Sequence, residues 1–130
     1  MFLRAIMLAF ILLAALPTAA IADPKTQDIP EEFRGTWGLS LEACRKGEGP
    51  ELVRIGPRHI FFVDASGYLN LAQLNHISDP PSFHGEFSFA GELEFWRQVI
   101  RLDLTDGQLF ITHLASREDE PSATPWVKCR

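Results

Sequence analysis

The sequence predicts a mainly β protein in which about eight antiparallel strands follow one another as a meander, forming a curled sheet or a small barrel, with one short N-terminal helix. Short segments rich in β-formers recur every 8–12 residues or so, separated by Gly, Pro or Asp breakers. Several of these segments alternate apolar and polar residues, which is typical of strands with one buried face. Two cysteines near the ends of this region could fasten the last strand to the first structural element.

The first 22 residues differ in composition from the rest and predict a signal peptide. Arg4 precedes an apolar run over Ala5–Leu16, and small residues at Ala20 and Ala22 follow it. This is the order of a basic region, a hydrophobic core and a cleavage site. The run is about 12 residues long, short of the roughly 20 that span a bilayer. We therefore predict cleavage before Asp23, a periplasmic or secreted location and no membrane span in the mature protein.

The 108 residues after the leader carry 11 basic and 17 acidic side chains, a net charge of −6. Their number is that of one small domain. We expect a flexible lead-in over residues 23–32 and a single β domain over residues 33–130. The acidic balance argues against nucleic-acid binding, because the phosphate backbone requires a positively charged surface.

Cys44 and Cys129 are the only cysteines of the chain. Two cysteines in an oxidising compartment form a disulfide by default. Neither belongs to a Cys-x-x-Cys unit or adjoins a His, so a metal site or a reactive thiol pair is the less favoured alternative. We therefore predict a bond that makes the C-terminus part of the fold.

Local signals predict the first elements of the domain. A strand over Thr36–Leu39 leads into a helical turn over Ser40–Arg45, with Ser40 as N-cap and Gly47 as a left-handed stop. Two further strands are predicted over Glu51–Ile55 and Arg58–Asp64. The next segment, Tyr68–Ile77, is ambiguous, because its leucines fit neither the strand period nor the helix period.

The clearest alternation lies at Phe83–Phe89, where the aromatic residues and Gly85 share one face and polar residues share the other. Thr105–Gly107 is a strong hairpin signal. The remaining segments predict two strands, a polar loop and a last short strand: Glu94–Leu104, Gln108–Leu114, Arg117–Pro125 and Trp126–Cys129.

No pattern in the chain predicts a catalytic residue, a metal ligand set or a cofactor site. The four histidines lack the His-x-His and His-x-x-x-His spacings, and no Ser lies in a Gly-x-Ser-x-Gly elbow. Glu86, Glu92, Glu94 and Asp103 could converge for two-carboxylate chemistry. Acidic residues on the outer face of a strand more often serve as solvated charges, so a small hydrolase or metal-dependent enzyme is the less favoured hypothesis.

Twelve aromatic residues occur in the mature chain, eight of them Phe. They either line a ligand cavity or fill a small core, and the core is favoured. The adjacent pairs Phe61-Phe62 and Phe95-Trp96 place rings on both faces of their strands, and an exposed aromatic patch would indicate a binding surface. The candidate ligand-binding residues are Phe61, Phe87, Phe89, Trp96 and Phe110.

Both ends of the domain resemble a group of small uncharacterised exported proteins of Gram-negative bacteria. These have a leader, a Pro-x-x-Phe-x-Gly-x-Trp segment with a Cys some seven residues later, and an aromatic-Val-basic-Cys ending. The resemblance implies a Trp core anchor and a disulfide staple but no activity. It is carried by Pro30, Phe33, Gly35, Trp37, Cys44, Trp126, Val127, Lys128 and Cys129.

The Gly-x-Trp opening with a β-meander also looks like lipocalin-type barrels and like small periplasmic inhibitors of exogenous proteases or lysozymes. We accordingly predict a soluble periplasmic, lipocalin-like binding module, not an enzyme, for a small apolar ligand or a periplasmic protein. An inhibitor of an exogenous hydrolase is the alternative, in which a loop such as Ser78–Ser82 or Arg117–Pro125 inserts into the partner enzyme.

Overall fold

The computed structural model describes residues 27–75, 82–114 and 122–130. The predicted signal peptide and its cleavage site lie outside these residues, as do most of the loops Ser78–Ser82 and Arg117–Pro125. No helix within the described ranges has the length and apolar character needed to cross a bilayer.

The described residues contain eight antiparallel strands in one sheet, in the order β7-β6-β5-β4-β3-β2-β1-β8. A 3₁₀ turn over Glu31–Phe33 precedes the first strand, and a short helix, α1, spans Leu41–Lys46 between the first two. The predicted mainly β meander with one short helix is confirmed. The strands are β1 (Gly35–Gly38), β2 (Leu52–Ile55), β3 (His59–Phe61), β4 (Ser66–Asn75), β5 (Ser82–Ala90), β6 (Phe95–Thr105), β7 (Gln108–Leu114) and β8 (Val127–Lys128).

The last strand brings the two ends of the meander together. β8 pairs with β1, placing Lys128 opposite Trp37. On the other side, Leu109 of β7 exchanges two backbone hydrogen bonds with Trp126, at 2.9 and 2.8 Å. The sheet is therefore a nearly closed barrel, a form that protects strand edges from pairing with other chains.

Aromatic rings fill the interior of this barrel. Every second residue of β5 is buried, as the alternation predicts, and Phe87 is fully inaccessible to solvent. A Cβ atom at Gly85 would lie 2.6 Å from the Phe87 ring and 2.9 Å from atoms of Leu69 and Phe83. Only glycine fits between these side chains. In the described part of the barrel, the rings thus serve mainly as the core.

The ambiguous segment of the sequence is a strand that contains a β-bulge. The β4–β5 register shifts between Leu69 and Leu71, which leaves Asn70 as the extra residue. Leu69 consequently points into the core, whereas Leu71 is exposed and Ala72 is buried again. The bulge explains why these side chains follow neither regular period.

Helix α1 and the disulfide confirm two of the local predictions. The Ser40 hydroxyl accepts a hydrogen bond from the Ala43 amide at 3.1 Å, and Gly47 ends the helix with φ 72°. Cys44 on this helix is bonded to Cys129 just after β8, with a Cα–Cα distance of 5.3 Å. The bond therefore fastens β8 to the start of the domain.

The strand predicted over Arg58–Asp64 is shorter than expected. It ends at Phe61, because the Phe62 amide donates to the Ala65 carbonyl at 2.8 Å and the chain turns. The Ala65-Ser66-Gly67 sequence after this segment predicts a hairpin connection, but Ser66 and Gly67 are the first two residues of β4. A Cβ at Gly67 would lie 2.7 Å from the Phe89 ring, so close packing and not turn geometry requires this glycine.

One end of the barrel is closed by the segment before β1, and we call it the plugged end. Ile29 and Phe33 are fully buried there, and the Phe33 ring lies 6.3 Å from that of Phe83. The Ile29 amide donates to the Pro57 carbonyl at 2.7 Å, and the Trp37 indole donates to the Phe33 carbonyl at 3.0 Å. The last residues of the predicted lead-in are thus packed against the barrel.

Candidate functional site

The structure brings together three of the five predicted ligand-binding aromatics. Phe87 and Phe89 are buried core residues whose ring centroids are 6.0 Å apart. Trp96 stacks on Phe89 at 5.5 Å with an interplanar angle of 10°. Phe61 and Phe110 lie apart from this stack, since each faces away from the barrel interior in the strand register. The five rings therefore do not line a common cavity.

The adjacent aromatic pairs divide between the two faces, as the sequence predicts. Phe62 packs partly buried against the core while Phe61 is 45% exposed. Trp96 covers Phe89 at the barrel end, whereas Phe95 is 87% exposed. Phe95 and Trp96 lie at the end of the barrel opposite the plugged end. The two most exposed large apolar side chains of the described residues, Leu93 and Phe95, are at this end.

Two tight turns lie side by side at that end. We call their corner residues, together with Glu94 and Phe95, the apolar tip. In one turn the Phe62 amide donates to the Ala65 carbonyl, and in the other the Gly91 amide donates to the Glu94 carbonyl, both at 2.8 Å. Each corner holds one apolar and one acidic residue, all four of them exposed. The corner residues are Val63, Asp64, Glu92 and Leu93.

The two turns are neighbours in space and rest on the ring stack. Together they line an open depression of about 540 Å³. A Cβ at Gly91 would lie 3.7 Å from the Asp64 carbonyl oxygen and 3.1 Å from the Trp96 ring. Phe62 also packs against Phe89, with ring centroids 6.2 Å apart. The tip is therefore a surface supported from below by packed aromatic side chains.

His113 lies at the same end, beneath the first turn. Its ring centroid is 5.7 Å from that of Phe62. Partial burial disfavours the charged imidazolium and lowers the pKa of His113 from its ordinary value of 6.5, although one side of the residue stays exposed. The neutral form is thus favoured in the folded protein.

The acidic side chains considered for two-carboxylate chemistry are dispersed. On the outer face, Glu86 lies 3.9 Å from Arg97, and Asp103 lies 2.9 Å from Arg101. Glu92 and Glu94 are at the apolar tip instead. Within the part of the chain that the structure describes, no group of three or more His, Cys, Asp or Glu side chains is arranged to hold a metal ion.

A second exposed aromatic group lies on the outer face of β3 and β4. The His59 ring contacts Phe61 at 5.6 Å and Tyr68 at 5.1 Å, and the Arg58 guanidinium lies 5.6 Å from the centre of the Tyr68 ring. Arg58 also pairs with Asp28 at 3.2 Å. Phe61 and Tyr68 are 45% and 47% exposed, a smaller fraction than Leu93 and Phe95 at the tip.

The prominent residues of the tip were missed among the predicted ligand-binding residues. Val63 was predicted within a strand, and Phe95 was considered only as one member of an aromatic pair. A signal was nonetheless present, because Gly91 predicts a turn over Ala90–Leu93 and Leu93 is a large apolar residue within it. A large apolar residue at a turn corner has no role in the backbone geometry, and this could have marked the site.

Comparisons of the chain with protein-family models, with curated proteins and with solved structures find no match. The resemblance to small exported proteins stays a prediction from the residues at the two ends. The structure does place four of those residues in contact as two pairs, Trp37 with Lys128 and Cys44 with Cys129. The Lys128 ammonium lies 4.7 Å from the centre of the Trp37 ring and donates a hydrogen bond to the Arg34 carbonyl, and Cys44 bonds to Cys129.

Proposed function

We propose that this protein is an extracytoplasmic, non-enzymatic binding module that engages a protein partner through the apolar tip. The observation that carries the proposal is the exposure of Leu93 and Phe95, which are 92% and 87% accessible at a β-hairpin end. Burying one such side chain contributes about 1.5–3 kcal/mol. A partner that covers both gains this energy on association, and clusters of exposed apolar residues mark interaction sites.

The shape of the tip favours a protein over a small apolar ligand. Small-molecule sites are concave and enclose most of their ligand, whereas Leu93 and Phe95 protrude from a turn and its flanking strand. In the described interior, Phe87 and its neighbours leave no room even for one methyl group at Gly85. These features support a surface that inserts into a partner.

The extracytoplasmic compartment is supported by two independent features. The leader has the order of a secretory signal peptide. The Cys44–Cys129 disulfide belongs to an oxidising compartment, since thiols are kept reduced in the cytosol.

An inhibitor of an exogenous hydrolase is the specific form of this function that the tip favours. A protruding hairpin with apolar residues is suited to enter the cleft of an enzyme. In this form the apolar tip, instead of the predicted loops Ser78–Ser82 or Arg117–Pro125, inserts into the partner enzyme. Loss of hydrolase activity on stoichiometric binding would distinguish this form from a module that binds without inhibition.

The test compares the mature, oxidised protein with the double variant Leu93→Ser/Phe95→Ser. The matched control is Leu71→Ser, because Leu71 is 42% exposed on the barrel wall in the middle of β4 and is not part of the tip. Proteins captured from a periplasmic extract by the wild type are purified, and their affinity for each variant is measured by calorimetry.

We expect the tip variant to bind at least about 100-fold more weakly, since two buried apolar side chains are lost, and the control to bind like the wild type. Urea unfolding of all three proteins checks that they are folded. Equal affinity of the tip variant and the wild type would overturn the proposal. Recovery of a small apolar molecule bound inside the barrel would also overturn it.

A further inference from the structure

We infer that the partner's receiving surface is cationic: an apolar pocket for Leu93 and Phe95 bordered by Lys or Arg side chains. This inference rests on the proposed function, since it assigns a chemistry to the partner of the same tip. It is carried by three carboxylates that lie around the exposed apolar residues: Asp64, Glu92 and Glu94.

The backbone holds these carboxylates near the apolar side chains. Glu92 and Glu94 flank Leu93 in a turn that is closed by the Gly91–Glu94 hydrogen bond. Asp64 is at the corner of the adjacent turn, which shares the open depression with Glu92. The acidic groups thus surround the protruding side chains on a supported surface.

The three carboxylates are not neutralised by their own chain. All three residues are exposed, and among the described residues none of them has a Lys, Arg or His nitrogen within 4 Å. The nearest basic residue along β6, Arg97, lies 3.9 Å from Glu86 of the neighbouring strand. The tip therefore presents about three negative charges to whatever approaches it.

The negative charge of the tip favours one kind of binding partner over the others. A second copy docked tip to tip would bring together six carboxylates, and opposing like charges across an interface cost several kcal/mol. An anionic lipid surface would repel the tip in the same way. A basic rim around an apolar pocket instead pairs with the carboxylates and steers the encounter. An apolar centre with a charged rim is also the ordinary anatomy of a protein interface.

The test separates the charge of the tip from its apolar side chains. Glu92→Lys/Glu94→Lys reverses two charges, and Glu92→Gln/Glu94→Gln removes them. The matched control is Glu31→Lys/Glu32→Lys, which makes the same change in net charge at the plugged end, where both residues are exposed. The probes are the basic and acidic fractions of a periplasmic extract, divided by ion exchange, and the protein purified from the fraction that binds.

We expect capture from the basic fraction only and an association rate that falls as salt is raised. Charge reversal at the tip lowers the association rate at low salt at least tenfold, the Gln variant lies between, and the plugged-end control stays within about twofold of the wild type. A Leu93→Ser/Phe95→Ser protein dissociates faster, because the apolar contact is lost.

Other results overturn the inference in distinguishable ways. Capture from the acidic fraction would overturn the cationic rim but not the proposed function. The same holds if the charge-reversed variant binds normally while Leu93→Ser/Phe95→Ser fails to bind. Normal binding by Leu93→Ser/Phe95→Ser would overturn both the cationic rim and the proposed function. Tip-dependent dimers in sedimentation of the wild type alone, or tip-dependent co-sedimentation with vesicles containing phosphatidylglycerol, assign the tip to another occupant.

Discussion

The two ends of the barrel use large apolar residues in opposite ways. At the plugged end, Ile29 and Phe33 are fully buried, and the Pro57 carbonyl at a turn corner accepts a hydrogen bond from the segment that covers it. At the other end, Leu93 in a tight turn and Phe95 at the start of β6 are almost fully exposed. Large apolar side chains complete the core at one end and stay exposed at the other.

The turns themselves show that this difference is not imposed by the backbone. The turn between β6 and β7 has φ 52° at Asp106 and 76° at Gly107, a left-handed geometry that selects these residue types. Among the described residues other than glycine, Asp106 is the only one with a positive φ. Leu93 and Val63 therefore occupy positions where a polar residue would serve the turn equally well. The backbone geometry of these turns does not require their apolar character.

Removal of the disulfide should have the largest effect on stability. It tests whether the covalent bond is needed to hold β8 beside β1 in the barrel wall between the two ends. Cys44 and Cys129 are 85 residues apart in sequence, and β8 is a strand of only two residues. Loss of this cross-link should lower the free energy of unfolding by about 4 kcal/mol, mainly through the entropy of the unfolded chain. Urea unfolding of the oxidised protein and of Cys44→Ser/Cys129→Ser measures it. Coincident transitions would show that the strand pairing alone suffices.

A matched pair of substitutions tests the comparison of the ends directly. Phe33→Ala at the plugged end should cost about 3–5 kcal/mol, because it leaves a cavity beside Phe83. Phe95→Ala at the tip should change stability by no more than about 0.5 kcal/mol, because the side chain is exposed in both states. Chemical unfolding of the two variants gives the difference. A large loss in Phe95→Ala would mean that the tip is structural.

Two glycines extend the same comparison. Gly85→Ala should destabilise by about 1–3 kcal/mol, since its Cβ would meet Phe87 at 2.6 Å inside a filled core. Gly91→Ala should cost less, because the tightest contact of its Cβ would be with the partly exposed Trp96 ring, at 3.1 Å. Unfolding midpoints of both variants decide the order. If Gly85→Ala were neutral, the barrel interior would have spare room for a ligand.

The smallest expected effect is a pH dependence at the tip end. The pKa of His113 is lowered on folding, so the unfolded chain binds more protons just below pH 6.5. The stability from this group is complete above that pH and is lost as the pH falls through the folded-state pKa. Urea midpoints at about pH 7.5 and pH 5 should therefore decrease more for the wild type than for His113→Gln. Equal decreases would contradict burial as the cause.

Several elements could be predicted closely because their signals are local. Ser40 and Gly47 bound the helix through their own side-chain and backbone chemistry, and β7 has the predicted bounds, Gln108–Leu114. The bulge at Asn70 could not be predicted, because it is defined by the register with β5. The end of β3 at Phe61 is likewise decided by a turn hydrogen bond that competes with a longer run of β-formers.

The candidate site was less predictable than the fold. The sequence correctly indicated that Phe95 and Trp96 point to opposite faces, but it placed the candidate ligand residues by aromatic character alone. Phe87 and Phe89 meet Trp96 as part of the core, while Phe61 lies outside it. Exposure depends on which strands and turns lie alongside a residue, and those neighbours are distant in sequence.

By itself, the sequence determined the fold class of this protein, a strand meander with one short helix and two cysteines that pair. These properties follow from composition, periodicity and turn chemistry, which act over a few residues. Only the tertiary structure decided that residues 29–33 plug one end of the barrel while Val63, Leu93 and Phe95 stay exposed at the other. Burial is a property of the assembled sheet, so an apolar side chain becomes core or interface only when the strands are in place.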